Sequence, residues 1–257
     1  MPYLEDLLAS TRGRIDELRS KVTDEALEQR IASVDTPLDF EGALSGPEVA
    51  LIAEIKRASP SKGPLALDLE AAKIAREVVG AGAAALSVLT EPGSFKGSME
   101  DLEAAQTAGA PVLRKDFIID PLQVLETRAA GADAVLLIVR ILGDSLPNLL
   151  RLTRSLGMAA LVEVFDESDV ERAIDAGASI VGINHRDLQT FEVDKDRTAK
   201  LAPMLPDGTI VVGLSGVETR ADVVALESHG ADAVLVGESL VASQDPAAKV
   251  RELLGTA

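Results

Sequence analysis

Charged side chains of both signs stand near the ends of three short apolar segments. Glu54 and Lys56 end the first segment, Lys115 lies at the end of another, and Glu163 lies in a third. Because side chains alternate along a strand, Ile52, Glu54 and Lys56 share one face. Inward-pointing lysines and carboxylates must pair, since unpaired buried charges are costly, and pairing shifts their pKa values. The four charges form a candidate acid–base site; a structural ion-pair network is the alternative.

Small residues follow the last two apolar segments. Ser215 and Gly216 come after one, and the run 237–239 comes after the other, directly before a helical pattern. Exposed backbone N–H groups and a helix N-terminus attract phosphate, so these loops form a candidate phosphate site. Ordinary turns are the alternative. Asn184 and Arg186 end a further segment and add an amide and a cation to the candidate set.

The loop at 59–63 combines Ser59, a proline, a lysine and a glycine. Small residues, a cation and Pro/Gly hinges suit a loop that closes over an anion, and an ordinary turn is again the alternative. Only 2% of the residues are aromatic. Phe95 and Phe117 follow two apolar segments and are candidates for an apolar pocket wall, although their positions suit core packing equally well.

Ala-Gly-Ala and similar triplets recur along the chain, each just before an apolar run, at intervals typical of strand-plus-helix units. The predicted strands cover 49–56, 84–90, 111–117, 133–139, 159–165, 179–185, 209–215 and 232–238. The predicted helices cover 68–80, 98–108, 121–130, 144–157, 168–176, 195–203, 219–229 and 246–254. Near-continuous apolar strands suit a sheet buried on both faces. Because no G-x-G-x-x-G follows the first strand, a closed (β/α)8 barrel is favoured over an open sheet.

Residues 1–47 precede these eight units, which occupy 48–257, and the whole is expected to form one domain. The segment 3–22 places leucines, isoleucine and valine on one helical face, and a second short helix is expected over 24–31. This extension either closes the barrel as a cap or helps to shape a substrate lid, and the sequence does not separate the two.

Composition excludes several classes of protein. The chain has 257 residues, 47% of them hydrophobic, no cysteine and two histidines, so disulfides, thiol catalysis and cysteine-ligated metals are excluded and a metal site is not expected. The formal charge of -17 disfavours nucleic acid and anionic membranes as partners. No apolar run approaches a membrane span, and the first residues do not resemble a secretory leader. The expected location is the cytoplasm.

Eight motifs occur in order and with matching spacing: IAEIKRASPSKG (52–63), SVLTE with FKGS (87–98), LRKDFI (113–118), LLIV (136–139), LVEV (161–164), GINHRDL (182–188), SGV (215–217) and VGESL (236–240). Together they resemble the indole-3-glycerol-phosphate synthase family of tryptophan biosynthesis. The resemblance implies a ring-closing decarboxylation and dehydration of 1-(2-carboxyphenylamino)-1-deoxyribulose 5-phosphate, a phosphorylated small molecule, without a cofactor and without a required oligomeric partner.

The resemblance also implies roles for individual residues. Lys115 is the general acid that protonates the substrate carbonyl, Lys56 holds the carboxylate and phosphate end, and Glu163 takes up the proton at dehydration. Glu54 orients the lysines and Asn184 positions Glu163. The supporting residues implied are Ser59 and Arg186 beside the substrate, Phe95, Phe117, Leu136 and Leu188 around its ring, and Ser215, Gly216, Gly237 and Glu238 around its phosphate. His185 occupies a variable place in its motif and is expected to be structural.

One position departs from the family. Where the family usually reads Ala-Glu-Ser-Gly, this chain reads Gly213-Leu214-Ser215-Gly216, so an apolar side chain replaces a carboxylate. The acid is either dispensable, deliberately replaced, or lost in a barrel whose activity has drifted.

Two rival functions stay open: another sugar-phosphate lyase or isomerase, and a catalytically impaired or redesigned phosphate-binding barrel. No Asp/Cys or Asp/Asp isomerase pair is evident at the strand ends, and the lysines and carboxylates that remain favour the synthase.

Overall fold

The computed structural model describes residues 2–187, 190 and 192–256. Eight parallel strands form a closed barrel in these ranges: β1 (Ala50–Ile55), β2 (Ala85–Leu89), β3 (Val112–Lys115), β4 (Ala134–Ile138), β5 (Ala159–Val164), β6 (Ile180–Asn184), β7 (Ile210–Leu214) and β8 (Ala233–Val236). Each strand pairs with the next in the chain, and β8 closes the ring against β1. Every strand lies inside its predicted range, and the (β/α)8 prediction is confirmed.

Thirteen helices accompany the strands in the described ranges: α1 (Pro2–Lys21), α2 (Asp24–Ser33), α3 (Phe40–Leu44), α4 (Ala71–Gly80), α5 (Met99–Ala105), α6 (Pro121–Ala129), α7 (Val139–Leu142), α8 (Leu146–Ser155), α9 (Glu167–Asp175), α10 (Arg197–Leu201), α11 (Arg220–Ser228), α12 (Glu238–Val241) and α13 (Pro246–Leu254). Of these, α3, α7 and α12 were not predicted, nor was a small antiparallel pair at 58–59 and 63–64. Segments of two to five residues are too short to show a hydrophobic period. None of the helices described is long and apolar enough to cross a membrane.

Alternate residues of the strands face opposite sides of the barrel wall. In β1, Leu51, Ala53 and Ile55 pack against the outer helices, whereas Ile52 belongs to the cluster inside the barrel. Leu113 and Leu161 belong to the same inner cluster. The charged residues two positions beyond each of these apolar residues therefore also face inward, as the period of two predicts.

The extension before the barrel contacts both of its ends. Phe40 and Leu44 of α3 are fully buried in the inner cluster. The adjoining residues Leu38 and Glu41 bond to Asp133 and Ser179, which directly precede strands, so α3 closes the amino end of the barrel. The first turns of α1 instead reach the carboxyl end, where the functional side chains lie. The extension thus provides both a cap and a wall of the pocket.

A buried charge network fastens α1 to β3. Arg14 donates two hydrogen bonds of 2.9 Å to the carboxylate of Asp116, the residue after Lys115. Thr90 donates another at 2.8 Å, and Arg114 lies 3.3 Å away. Burial raises the pKa of Asp116, but the bond from Arg14 and the charges of Arg114 and Arg14 outweigh burial and lower the pKa to about 2. One carboxylate therefore connects the extension to the strand that carries Lys115.

We expect Asp116→Asn to remove a pH-dependent part of the stability. Because the folded-state pKa is about 2 and the reference value is 3.8, this contribution is complete above pH 4 and is lost as the pH falls toward 2. It amounts to about 2 kcal/mol. Urea unfolding between pH 3 and 7 measures it: the gap between wild type and Asp116→Asn must narrow as the pH falls. The exposed Asp16→Asn variant is the control, and a gap that stays constant across this range contradicts the prediction.

Candidate active site

Glu54 lies between two lysines inside the barrel mouth. Its Oε1 is 2.8 Å from the Nζ of Lys56, and its Oε2 is 4.0 Å from the Nζ of Lys115. Burial alone raises the pKa of Glu54, but the two lysine charges and the hydrogen bond from Lys56 outweigh it, so the pKa lies below its ordinary value. One buried carboxylate thus offsets the charge of two ammonium groups in the same pocket.

Gly237, directly after β8, makes room for this carboxylate. A Cβ atom at this position would lie 2.3 Å from Oε1 of Glu54 and 2.9 Å from its Cβ. No side chain fits there without moving Glu54 away from Lys56. The glycine identified from sequence as a phosphate-loop residue therefore also permits the ion pair.

A pocket at the carboxyl ends of the strands brings most of the predicted site residues together. Those that line it are Glu54, Lys56, Ser59, Phe95, Lys115, Phe117, Asn184, Arg186, Ser215, Gly216, Gly237 and Glu238. Leu214 and Leu235 also line it and supply apolar surface from β7 and β8. Leu136 lies in the barrel interior and does not line this pocket. Leu188 lies outside the described residues.

Two phenylalanines and the first turns of α1 add to the apolar wall of the pocket. Phe95 and Phe117 have ring centroids 6.4 Å apart. Leu4 and Leu7 of α1 line the same pocket, a role that the sequence did not reveal. Their only signal was membership of the apolar face of α1, which equally suits a helix packed on the outside of a barrel.

The loop that carries Phe95 is organised by Glu91. Its carboxylate accepts hydrogen bonds from the backbone N–H groups of Gly93, Ser94 and Phe95 at 2.6 to 3.0 Å. Gly97 is required where the loop returns, because a Cβ there would lie 2.0 Å from the carbonyl oxygen of Leu89. Phe95 is thus held by backbone contacts on both sides.

Glu163 lies beside the pocket rather than on its surface. It lines a separate small cavity with Arg140, Phe165 and Asn184. The Nδ2 of Asn184 donates to Oε1 of Glu163 at 3.0 Å, whereas Oε2 is buried with no hydrogen-bond partner within the described part of the chain. Since Asn184 lines both cavities, its amide connects the carboxylate to the main pocket.

The predicted phosphate loops meet at the rim. Ser215 and Gly216 both adopt positive φ, 70° and 79°. Gly216 is also packed closely, since a Cβ there would lie 2.7 Å from the side chain of Val193. The two loops are joined by a hydrogen bond of 3.1 Å from Ser239 Oγ to the carbonyl of Val217.

Glu238 lies near two cations at this rim, which offset its negative charge beside the predicted phosphate loops. Its carboxylate lies 3.4 Å from Lys62 and 3.9 Å from Arg186. In the loop after β1, the hydroxyl of Ser59 accepts a hydrogen bond of 3.2 Å from the backbone N–H of Lys62. The loop after β1 and the end of β6 therefore each place a cation beside Glu238 at the pocket rim.

The chain is similar to a family of known enzymes over nearly its whole length. The family model described as indole-3-glycerol phosphate synthase matches residues 4–253. An indole-3-glycerol phosphate synthase from Parafrankia sp. is 49% identical over 99% of this chain and 96% of the relative. One from Mycolicibacterium vanbaalenii is 47% identical over 98% of this chain and 93% of the relative.

Solved structures show the same fold at low identity. A thiamine phosphate pyrophosphorylase from Pyrococcus furiosus has a TM-score of 0.60 and 15% identity, with 80% of this chain and 93% of that chain covered. A structure titled native KDPGal has a TM-score of 0.59 and 18% identity, with 80% and 95% covered. These likenesses concern the barrel alone.

We expect Glu54→Gln to destabilise the fold by about 3 kcal/mol at pH 7, because it leaves two ammonium groups without their buried counterion. Adding Lys56→Met must cost less than the two single changes summed, by about 1 to 3 kcal/mol, since the removed groups interact. Urea unfolding of the four proteins gives this coupling energy. Lys62→Met, an exposed lysine at the same mouth, is the matched control. Strict additivity of Glu54→Gln and Lys56→Met would refute the pairing.

Proposed function

The chain belongs to the indole-3-glycerol phosphate synthase family, and we propose that Lys115 and Glu163 are the acid and the base of its reaction. The enzyme converts 1-(2-carboxyphenylamino)-1-deoxyribulose 5-phosphate, a phosphorylated small molecule, into indole-3-glycerol phosphate, carbon dioxide and water. The observation that carries the residue assignment is the carboxylate of Glu54 shared between Lys56 and Lys115 in one pocket.

Ring closure needs an acid at the substrate carbonyl. The aryl carbon that bears the carboxylate attacks the C2 carbonyl carbon, and the Lys115 ammonium donates its proton to the carbonyl oxygen as the new bond forms. The bond to the carboxylate then breaks, carbon dioxide leaves, and the electron pair restores the aromatic ring. Glu54 stabilises the ammonium charge from 4.0 Å before the proton is given up.

Dehydration needs a base. The new hydroxyl leaves as water with a proton from Lys115, which has been reprotonated from solvent after ring closure, and the neighbouring carbon C1 loses a proton to Glu163. The amide of Asn184 holds one oxygen of that carboxylate and leaves the other with no partner among the described residues. An unpaired buried oxygen is a ready proton acceptor, which supports this assignment.

Binding of the substrate is divided among the remaining residues. Lys56 holds the carboxylate and phosphate end, and Arg186 and Ser59 support it from the loops. The phosphate lies against the backbone of Ser215, Gly216, Gly237 and Glu238, and no described residue accepts a hydrogen bond from the N–H of Gly216 or Glu238. Phe95 and Phe117 enclose the aromatic ring and exclude water, with Leu136 behind them. Leu188, which lies outside the described residues, is proposed to contact the ring as well.

The same site, the net charge and the family bear on the partners, cofactors and location of the enzyme. A single domain brings Lys56, Lys115 and both predicted phosphate loops into one pocket, so we propose that it works without an oligomeric partner. The protons move among the substrate, Lys115 and Glu163, so the steps need no cofactor. A charge of -17 disfavours nucleic acid as a partner. Membership of an amino-acid biosynthetic family supports a cytoplasmic location.

The assignment of the acid is tested by following indole fluorescence after the substrate is added to pure protein. The signal is clean because the chain has no tryptophan. Wild type must turn over, and Lys115→Ala must lower kcat by about 100- to 10,000-fold, the usual contribution of a general acid. Lys73→Ala, an exposed lysine on α4, must retain wild-type activity. Indole formation by Lys115→Ala at more than half the wild-type rate would contradict the assignment of Lys115 as the acid.

Leu214 tests whether an apolar side chain at the end of β7 is part of the working site. Its side chain is buried, lies over Gly182 and lines the pocket. We expect Leu214→Glu to raise turnover or leave it unchanged while costing about 1 to 3 kcal/mol of stability, because a polar group is buried there. Leu214→Gln, which matches glutamate in shape but carries no charge, shows whether an effect comes from the size or from the charge of the side chain. A large loss of kcat in a folded, substrate-binding variant would show that the site is built around leucine.

A further inference from the structure

The first turn of α10 contacts the carboxyl ends of β5 and β6 directly and that of β7 through His185, without lining either cavity. We call the side chains of Arg197 and Thr198 in this turn the α10 bracket. Thr198 is fully buried. Each of the two residues leads by a separate chain of contacts to a different part of the active site.

Arg197 leads to the acid–base residues. Its Nη1 donates to the carbonyl oxygen of Asn184 at 2.6 Å, and its guanidinium carbon lies 3.6 Å from the ring centroid of Phe165. Phe165 is two residues beyond Glu163, and Asn184 is the residue that bonds to Glu163 at 3.0 Å. One guanidinium therefore holds the ends of β5 and β6 at the separation that this hydrogen bond requires.

A second guanidinium fixes the same ring. The Cζ of Arg140 lies 4.1 Å from the centroid of Phe165. Arg140 is itself held by Asp166 at 2.7 Å and by Asp169 at 3.3 Å. The ring that Arg197 contacts is thus fixed from α7 and α9 as well.

Thr198 leads to the phosphate loop. Its hydroxyl lies 2.7 Å from Nε2 of His185, and Nδ1 of the same buried imidazole lies 2.9 Å from the carbonyl oxygen of Ser215. A carbonyl can only accept, so Nδ1 carries the proton and Nε2 accepts from the Thr198 hydroxyl. Ser215 holds a φ of 70°, which a residue with a side chain rarely adopts, and this chain of bonds stabilises it.

We infer that the α10 bracket positions the two halves of the active site separately. Arg197 sets the geometry of Glu163 and Asn184, whereas Thr198 acts through His185 on the phosphate loop at Ser215. This inference rests on the proposed function, because it uses the roles assigned there to Glu163 and to the loop. Neither bracket residue touches substrate in this arrangement; both act through their neighbours.

The two bracket residues are expected to affect different kinetic constants. Arg197→Met keeps the apolar stem and must lower kcat by about 10- to 100-fold, with KM for substrate and the Kd of inorganic phosphate changed by less than about threefold. Thr198→Val keeps the shape and must raise KM and the phosphate Kd by about tenfold, with kcat changed by less than about threefold. Thr198→Ser restores the donor and must restore both constants.

A loss of folded enzyme also lowers kcat, so a second readout is needed for Arg197. If Glu163 is misplaced, removal of the carbon-bound proton becomes slower than the other steps, and the kinetic isotope effect on kcat with substrate deuterated at C1 must rise in Arg197→Met. A smaller folded fraction leaves this ratio unchanged. Lys200→Met, an exposed cation of the same helix, is the control and must match wild type in every constant.

Two further variants cover the case in which a bracket variant does not fold. Phe165→Leu removes only the ring under Arg197 and must repeat the kcat effect, and His185→Leu must repeat the KM effect. The inference is overturned if the folded variants on the Arg197 side and on the Thr198 side change kcat and KM in the same way. It is also overturned if no variant changes either constant. Absence of turnover in wild type would instead overturn the proposed function, so the two failures are distinguishable.

Discussion

The arrangement of this site depends on one buried carboxylate, that of Glu54, between two lysines. Two ammonium groups in an apolar barrel mouth repel each other and lose hydration, and Glu54 offsets both costs from 2.8 Å and 4.0 Å. Its position in turn depends on Gly237, which leaves space for the carboxylate. The barrel supplies this geometry because β1, which carries Glu54, pairs with β8, after which Gly237 follows.

The two ends of the barrel have different tasks. At the amino end, the apolar side chains of Phe40 and Leu44 close the interior. At the carboxyl end, buried charges are stabilised by opposite charges and hydroxyl groups, as Asp116 is by Arg14 and Thr90. The extension serves both ends, and the network at Asp116 joins its pocket-lining leucines to the strand of the acid. Stability and pocket shape are therefore coupled through one buried charge.

The site separates the proposed acid from the proposed base. Lys115 faces the main pocket, whereas Glu163 faces a smaller cavity behind the amide of Asn184. Because Lys115 and Glu163 line different cavities, they form no direct ion pair, which suits the different steps proposed for them. The carbonyl of Asn184 is held from outside the pocket by Arg197 and the Ser215 loop by His185, which leaves the interior free for substrate.

The sequence by itself determined the barrel, the inward direction of Glu54, Lys56, Lys115 and Glu163, and the family, because strand periodicity and motif spacing are local properties. Only the tertiary structure decided which carboxylate pairs with both lysines and which lines the second cavity, since these depend on register between strands. It alone showed that α1 reaches the pocket, because Arg14 and Asp116 are separated by 102 positions. The short helices α3, before β1, and α12, after β8, were not predicted because segments of four or five residues carry no hydrophobic period.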